Sequence, residues 1–254
     1  MSHTDCLLIL KYAPSLSCYE IQNMKLPIDW GIDKIQHDRL QRLIINCQSP
    51  FGSAFLRRVT LPSLEILECT GKLLEISIPA MLQRSSSILT RFILETSEVD
   101  QEKLISVLWA MHTLQRLEIR ATRGNASSPD ALLRLMASTA VMAQPGGSTS
   151  EFLPNLQHFA YRRPFASTGF AWSLIPDIFA PLSSQVNAQG RPLKTAIFCF
   201  GSCELVPGSF LSRKSIPRFL NLQKDVDLSI QFGDETTPAD FIRLSANHHN
   251  ISSR

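Results

Sequence analysis

The sequence predicts an α/β solenoid, a stack of short parallel strands backed by helices, and three observations carry that prediction. One short apolar phrase recurs as Leu16-x-x-Tyr19-x-Ile21, Leu40-x-x-Leu43-x-Ile45, Leu64-x-x-Leu67-x-Cys69, Leu89-x-x-Phe92-x-Leu94 and Leu114-x-x-Leu117-x-Ile119. Its leading leucines step by 24, 24, 25 and 25 residues, a spacing that points to stacked units, each contacting only its neighbours. The last two apolar positions of each phrase are separated by one residue, the alternation of a strand with one buried face.

That interval lies in the ~20 to 29 residue window of leucine-rich repeats, in which strands line a concave face and helices return the chain along the convex side. The first phrase is followed by Pro27 and Gly31 without a clear helical pattern, so residues 1–38 read as an amino-terminal segment carrying the first rung. Residues 39–125 hold the regular repeats. The clearest helix is expected from Ser97 to Ala110, with Ser97-x-x-Asp100 as a capping box and Leu104, Ile105, Leu108 and Trp109 as its buried face.

Residues 126–152 are expected to form a helix and a flexible insertion. The helix begins at Ser128 with Pro129 in its first turn, presents Leu132, Leu133, Leu135 and Met136, and ends before the loop composition of Pro145 to Ser150. The phrase resumes as Leu156-x-x-Phe159-x-Tyr161 and Leu193-x-x-Ala196-x-Phe198, after steps of 42 and 37 residues that imply insertions between rungs. Residues 153–232 therefore read as irregular repeats, with a longer outer helix at Phe170–Leu182, a short helix at Ser215–Leu222 and an alternating strand at Val226–Ile230. Residues 233–254 supply a final helix, opened by Thr237-Pro238-Ala239-Asp240, and a polar tail that together cap about seven rungs.

A net charge of +3, from 25 basic and 22 acidic residues interspersed along the chain, predicts neither a nucleic-acid nor a membrane partner. Six cysteines without paired C-x-x-C spacing predict free thiols in a reducing compartment, cytoplasmic or nuclear. The apolar run Cys6–Leu10 is too short for a signal or a span, and the sequons at Asn125 and Asn250 are then chance matches.

The phrases Leu61-Pro62-Ser63-Leu64-Glu65-Ile66-Leu67 and Leu153-Pro154-Asn155-Leu156-Gln157-His158-Phe159, with Phe170-Ala171-Trp172-Ser173 and Arg191-Pro192-Leu193, resemble the repeats behind F-box domains. The similarity is to the fungal F-box/leucine-rich-repeat-like proteins and spans roughly residues 16 to 232. The resemblance implies repeats that hold a substrate for ubiquitin-dependent degradation, with an F-box binding the adaptor of a cullin-type ligase. The first phrase begins at Leu16 and Leu26-Pro27-Ile28-Asp29 lacks the helical pattern an F-box needs. No F-box is expected in this chain, and the ligase adaptor is a partner only if an F-box is missing from it.

Residues between the buried strand positions are expected on the concave face, in three columns. The central column reads Ile44, Glu68, Ile93, Glu118, Ala160 and Ile197. Its flanks are Arg42, Ile66, Arg91, Arg116, His158 and Thr195, and Asn46, Thr70, Glu95, Arg120, Arg162 and Cys199. Of these, Arg42, Ile44, Arg91, Ile93, Arg116, Glu118, Arg120, His158 and Arg162 are the candidate partner-binding residues, because arginines beside apolar anchors carry much interface energy. The competing readings are solvated positions and cross-strand charge pairs worth about 0.2–1 kcal/mol each. Cys199 and Cys203 have no second ligand pair, His248-His249 reads as a solvated terminus, and Gly146–Ser150 lacks the Lys of a phosphate loop. No metal, cofactor or catalytic constellation is expected. The predicted function is protein binding, with a purely scaffolding repeat protein as the alternative.

Overall fold

The computed structural model describes residues 3–22, 34–47, 51–71, 77–122, 129–140, 152–164, 170–179, 191–201, 210–233 and 239–250. Its first half contains α1 (His3–Tyr12), β1 (Cys18–Gln22), β2 (Ile35–Gln36), β3 (Arg42–Cys47), α2 (Phe51–Arg58), β4 (Val59–Thr60), β5 (Ile66–Gly71), α3 (Ser77–Ser85) and β6 (Arg91–Thr96). Its second half contains α4 (Gln101–Trp109), β7 (Arg116–Ala121), α5 (Asp130–Ser138), β8 (His158–Arg163), β9 (Thr195–Phe200), α6 (Ile216–Leu222), β10 (Asp227–Phe232), β11 (Ala239–Asp240) and α7 (Phe241–His248). This is a mixed α/β fold built on one large, mostly parallel, open sheet.

The phrases fall on strands, and consecutive phrases become neighbouring strands. The sheet order is β1-β3-β5-β6-β7-β8-β9-β10-β11, parallel throughout except for β11, which runs antiparallel to β10. The register aligns Leu43, Leu67, Phe92, Leu117, Phe159 and Ala196 in one row. It survives the 42- and 37-residue steps because the extra residues lie outside the ladder. The short pair β2 and β4 forms a separate parallel sheet that the sequence pattern does not announce.

A backbone motif enforces the register. The carbonyl of the residue before each strand accepts two amides from the next rung: Ser17 O from Gln41 and Arg42, Gln41 O from Glu65 and Ile66, and Glu65 O from Thr90 and Arg91. The motif continues through Thr90, Gln115 and Gln157. The polar residue just before a leading leucine also crosses to the previous rung, Ser63 donating to Asp38 O at 2.5 Å and Asn155 to His112 O at 2.9 Å. The polar residue of each Leu-Pro-polar-Leu phrase thus ties its turn to the turn of the previous strand.

The second and fourth strand positions, including Leu43, Ile45, Phe92, Leu94, Leu117 and Ile119, join Leu104, Val107, Leu108 and Leu132 in one continuous apolar core. The opposite face carries the intervening residues. No helix among the described residues is long and apolar enough to cross a membrane.

Several elements depart from the sequence pattern. Helix α4 starts at Gln101, not Ser97: Asp100 is its N-cap and accepts from Lys103 N at 3.2 Å, while Thr96 and Glu98 close a local turn. Asp is itself a strong cap, and Val99 just before it is buried as an N′ anchor. The buried face of α4 is Leu104, Val107 and Leu108 rather than one ending in Trp109, which is 41% exposed and packs edge-on against Phe152 at 4.9 Å. In α5, Leu132, Leu133 and Met136 are buried and Leu135 is half-buried.

Over the described residues 170–179, the outer helix expected at Phe170–Leu182 is replaced by two 3₁₀ turns, Trp172–Leu174 and Pro176–Ile178. Pro176 has no amide to donate, so a helical run does not continue through it. Strand β10 is an eighth parallel strand, beyond the seven rungs expected; its phrase is masked because Asp225 stands where Leu would lead. Helix α7 is capped by Asp240, which accepts from Ile242 N and Arg243 N. His248, exposed as expected, ends α7 and stacks on Phe210 at 4.2 Å, while half-buried His249 has its Nε2 3.0 Å from Leu211 O, so the pair belongs to the helix end rather than to a free tail. Aromatic rings close this end, with Phe232 stacked on Phe200 at 5.0 Å and Phe241 4.3 Å from Phe232.

Leu26–Asp29, Ser128, Pro145–Ser150, Leu182, Cys203, Thr237 and Pro238 lie outside the described residues, as do the sequon residues apart from Asn250.

Candidate binding face

Every candidate residue sits on the sheet face opposite the helices, at the first, third or fifth position of a strand. The in-register rows are Arg42-Ile66-Arg91-Arg116-His158-Thr195-Asp227 at the first position and Ile44-Glu68-Ile93-Glu118-Ala160-Ile197-Ser229 at the third. Asn46-Thr70-Glu95-Arg120-Arg162-Cys199-Gln231 occupies the fifth. All nine are therefore on one face, and the columns agree with the strand alternation.

Their exposure is not uniform. Ile44 and Ile197 are half-buried, but Ile93 and Glu118 are each only 3% exposed and Ala160 is buried. On the central strands β6 to β8 a third-position side chain has neighbours before and after it on its own strand and on both adjacent strands, roughly 4.8 Å away. The central column there is an inner layer, not a row of exposed anchors. Ile93 and Glu118 are corrected accordingly: they support the face from beneath.

The charged residues fall into two groups. Arg42 is paired with Glu68, its Nε at 2.9 Å and Nη2 at 2.6 Å from Oε1. Glu118 Oε1 accepts from Arg120 Nε at 2.9 Å and from Arg162 Nε at 3.2 Å, and Arg120 Nη1 lies 3.8 Å from Glu95. Burial alone raises the Glu118 carboxyl. The Arg120 hydrogen bond and the charges of Arg120, Arg162 and Arg116 overcome that and hold it below the ordinary carboxylate range. This group neutralises itself.

The other group has no such partners. Arg91 and Arg116 form no ion pair among the described residues, and Arg91 Nε and His158 Nε2 are buried without a hydrogen-bond partner among them. Burial, and then the charge of Arg116, lower the pKa of His158 from its ordinary 6.5, so the imidazole is held neutral. A pair of cations and a neutral imidazole thus stand side by side at the starts of β6, β7 and β8.

Among the described residues, no group of three or more His, Cys, Asp or Glu side chains is placed to hold a metal. A pocket of about 530 Å³ opens elsewhere, between α3 and the turns before β6 and β7, lined by Leu82, Ser87, Ile88 and Met111 among others. None of the candidate residues lines it.

Sequence reasoning missed the partner that silences Arg42, although Glu68 lies on the adjacent column one rung later. It also missed Arg191, a residue of the Arg-Pro-Leu phrase that is buried without a carboxylate and donates to backbone instead. No family model, no curated protein and no solved structure matches the chain.

Proposed function

We propose that the chain is a leucine-rich-repeat solenoid whose strand face is concave and holds a protein partner. The role would be that of the substrate-recognition repeats in F-box-type ubiquitin ligase receptors. The observation that carries this reading is the sheet order itself. Eight parallel strands follow one another in sequence order and in register, with helices packed against one face and mixed apolar and basic residues on the other. Repeat arrays bind through such extended faces, and half-buried Ile44 and Ile197 beside arginines have the composition of an interface rather than of a catalytic centre.

The scaffolding alternative has one observation in its favour, since Arg42, Arg120 and Arg162 are already satisfied by Glu68, Glu95 and Glu118. Capture of partners from a matching cell extract by the purified chain separates the readings. Ile44→Lys with Ile197→Lys is expected to abolish specific capture while Glu102→Lys, at an exposed position of α4, leaves it intact; equal capture by all three proteins would remove the face from the argument. Cullin and its adaptor among the captured proteins would support the ligase role. Their reproducible absence from a version of the protein that includes an F-box would sink it.

A further inference from the structure

We infer that Arg91, Arg116 and His158 form the part of this face that takes acidic side chains from a protein partner. Arg42, Arg120 and Arg162 take no part in that contact. The inference rests on the proposed binding face and sharpens it from a face to a row.

The ground is the accounting of charge. Five of these six residues are arginines, and the sequence gives no reason to separate them. In three dimensions Arg42, Arg120 and Arg162 each already donate to a carboxylate, so Glu68 or Glu118 offsets their charge and an incoming anion gains less from them. Arg91 and Arg116 carry two positive charges with no ion pair among the described residues, on adjacent strands and in register. His158 follows in register on β8, and its Nε2 and the Nε of Arg91 are both buried and without partners among the described residues. Buried donors left unmet are costly, and a carboxylate is the acceptor that would relieve an arginine most strongly.

The spacing fits an extended segment laid across the strands. Adjacent strands are roughly 4.8 Å apart, so the row from Arg91 to His158 spans about 10 Å, while alternate residues of an extended chain recur every ~6.7 Å. Two acidic residues in alternate positions would therefore each reach a pair of the three. Asp227, two strands beyond His158 on the same row, would repel a longer acidic run and sets its limit at that end.

His158 makes the contact readable. The charged groups acting on it are Arg116 and Glu118 from β7, Arg91 from β6 and Asp227 from β10, while its other neighbour in the row, Thr195, does not titrate. A bound carboxylate would offset the two arginines and favour the imidazolium, so peptide binding and His158 protonation are linked.

The test uses the whole chain and a short fluorescein-labelled peptide alternating glutamate and serine, followed by anisotropy at low salt, with a lysine-serine peptide as control. The acidic peptide is expected to bind and the basic one not. Arg91→Gln with Arg116→Gln should weaken binding about tenfold or more, whereas Arg120→Gln should change it less than about threefold, because Glu118 and Glu95 already offset its charge. Matching melting temperatures exclude misfolding. The His158 imidazole, followed by NMR, should titrate at higher pH with the peptide present. No binding, equal losses from the two variants, or an unmoved His158 would each overturn the inference. Loss of capture with Ile44→Lys and Ile197→Lys would still leave the binding face standing in that case, whereas retained capture would remove the face itself.

Discussion

Arg191 offers the sharpest test of how the chain crosses its insertion. Only 4% exposed, it donates from Nε to Leu153 O at 3.2 Å, from Nη1 to Met136 O at 2.8 Å, and from Nη2 to Thr139 Oγ1 at 2.7 Å and Phe152 O at 2.8 Å. One side chain therefore ties the end of α5 to the segment where the chain resumes before β8. It also anchors the carbonyl of Leu153, a buried residue at φ 51° in the left-handed region, where a non-glycine backbone is strained by about 1–2 kcal/mol. Hydrogen bonds from a charged donor contribute about 1.5–3 kcal/mol each, so four give roughly 6–12 kcal/mol in gross terms.

Against this stands burial of the guanidinium, which pushes its pKa from 12.5 down to about 10; at about 1.4 kcal/mol per pKa unit that offsets roughly 3.5 kcal/mol. Bonds that share one side chain do not add fully. Arg191→Met, which keeps most of the volume and removes the side-chain donor from three carbonyls, of which Leu153 O keeps the Leu156 amide, is therefore expected to lower stability by about 3–5 kcal/mol. Arg191→Lys should fall between, because an ammonium has three donors and no planar fork. Urea denaturation reads this as a lower midpoint at unchanged slope. A loss below about 1 kcal/mol for Arg191→Met would refute the clasp.

Three further outcomes check the strand facing and the supporting layer. Leu117 is fully buried and Arg116, next to it, is exposed, so Leu117→Ala should lose about 2–5 kcal/mol while Arg116→Ala stays within about 0.5 kcal/mol; equal losses in denaturant would contradict the facing. Glu118→Gln should destabilise by about 1–3 kcal/mol. The wild type should also lose stability relative to this variant as pH falls below the ordinary carboxylate value of 4.5 and through the lowered folded one, since the unfolded carboxyl takes up its proton first. At Gly201 a Cβ would stand 2.2 Å from Pro164 O, so Gly201→Ala must push backbone apart and is expected to lower the melting temperature measurably. An unchanged melt would show that the β8 and β9 ends are not in close approach.

The strands were legible because a period-2 pattern repeated every 24 or 25 residues admits one register, and a slip of one residue would turn Leu43, Leu67 and Leu117 to the wrong face. Helix starts were less so, since Ser97 and Asp100 both suit a cap and only the turn made by Thr96 and Glu98 decides between them. The segment at Phe170 misled because its apolar spacing suits a helix while Pro176 forbids a continuous one. The candidate face was readable as a set of positions and unreadable as chemistry. Alternation tells which way Ile93 and Glu118 point, but their burial comes from neighbours on strands 25 residues or more away in sequence.

The arginines show why that gap is physical. Arg84 and Arg191 both spend their donors on backbone carbonyls at chain turns, Arg84 Nη2 reaching Leu56 O at 2.6 Å and Val59 O at 2.7 Å. Arg42, Arg120 and Arg162 spend theirs on Glu68 and Glu118. These five residues have the same side chain as Arg91 and Arg116, and no local pattern distinguishes them. What distinguishes them is whether the same or a neighbouring part of the fold presents an acceptor within reach. Moving the acceptor should therefore move the function: Ile66→Glu, on the strand beside Arg91 and in register with it, would supply the missing carboxylate from within. It is expected to weaken acidic-peptide binding about as much as removing Arg91 does, at the level of one charge-assisted hydrogen bond or about 1.5–3 kcal/mol. Anisotropy with the same glutamate-serine peptide measures it, and undiminished binding would show that the free charge of Arg91 is not what the face uses.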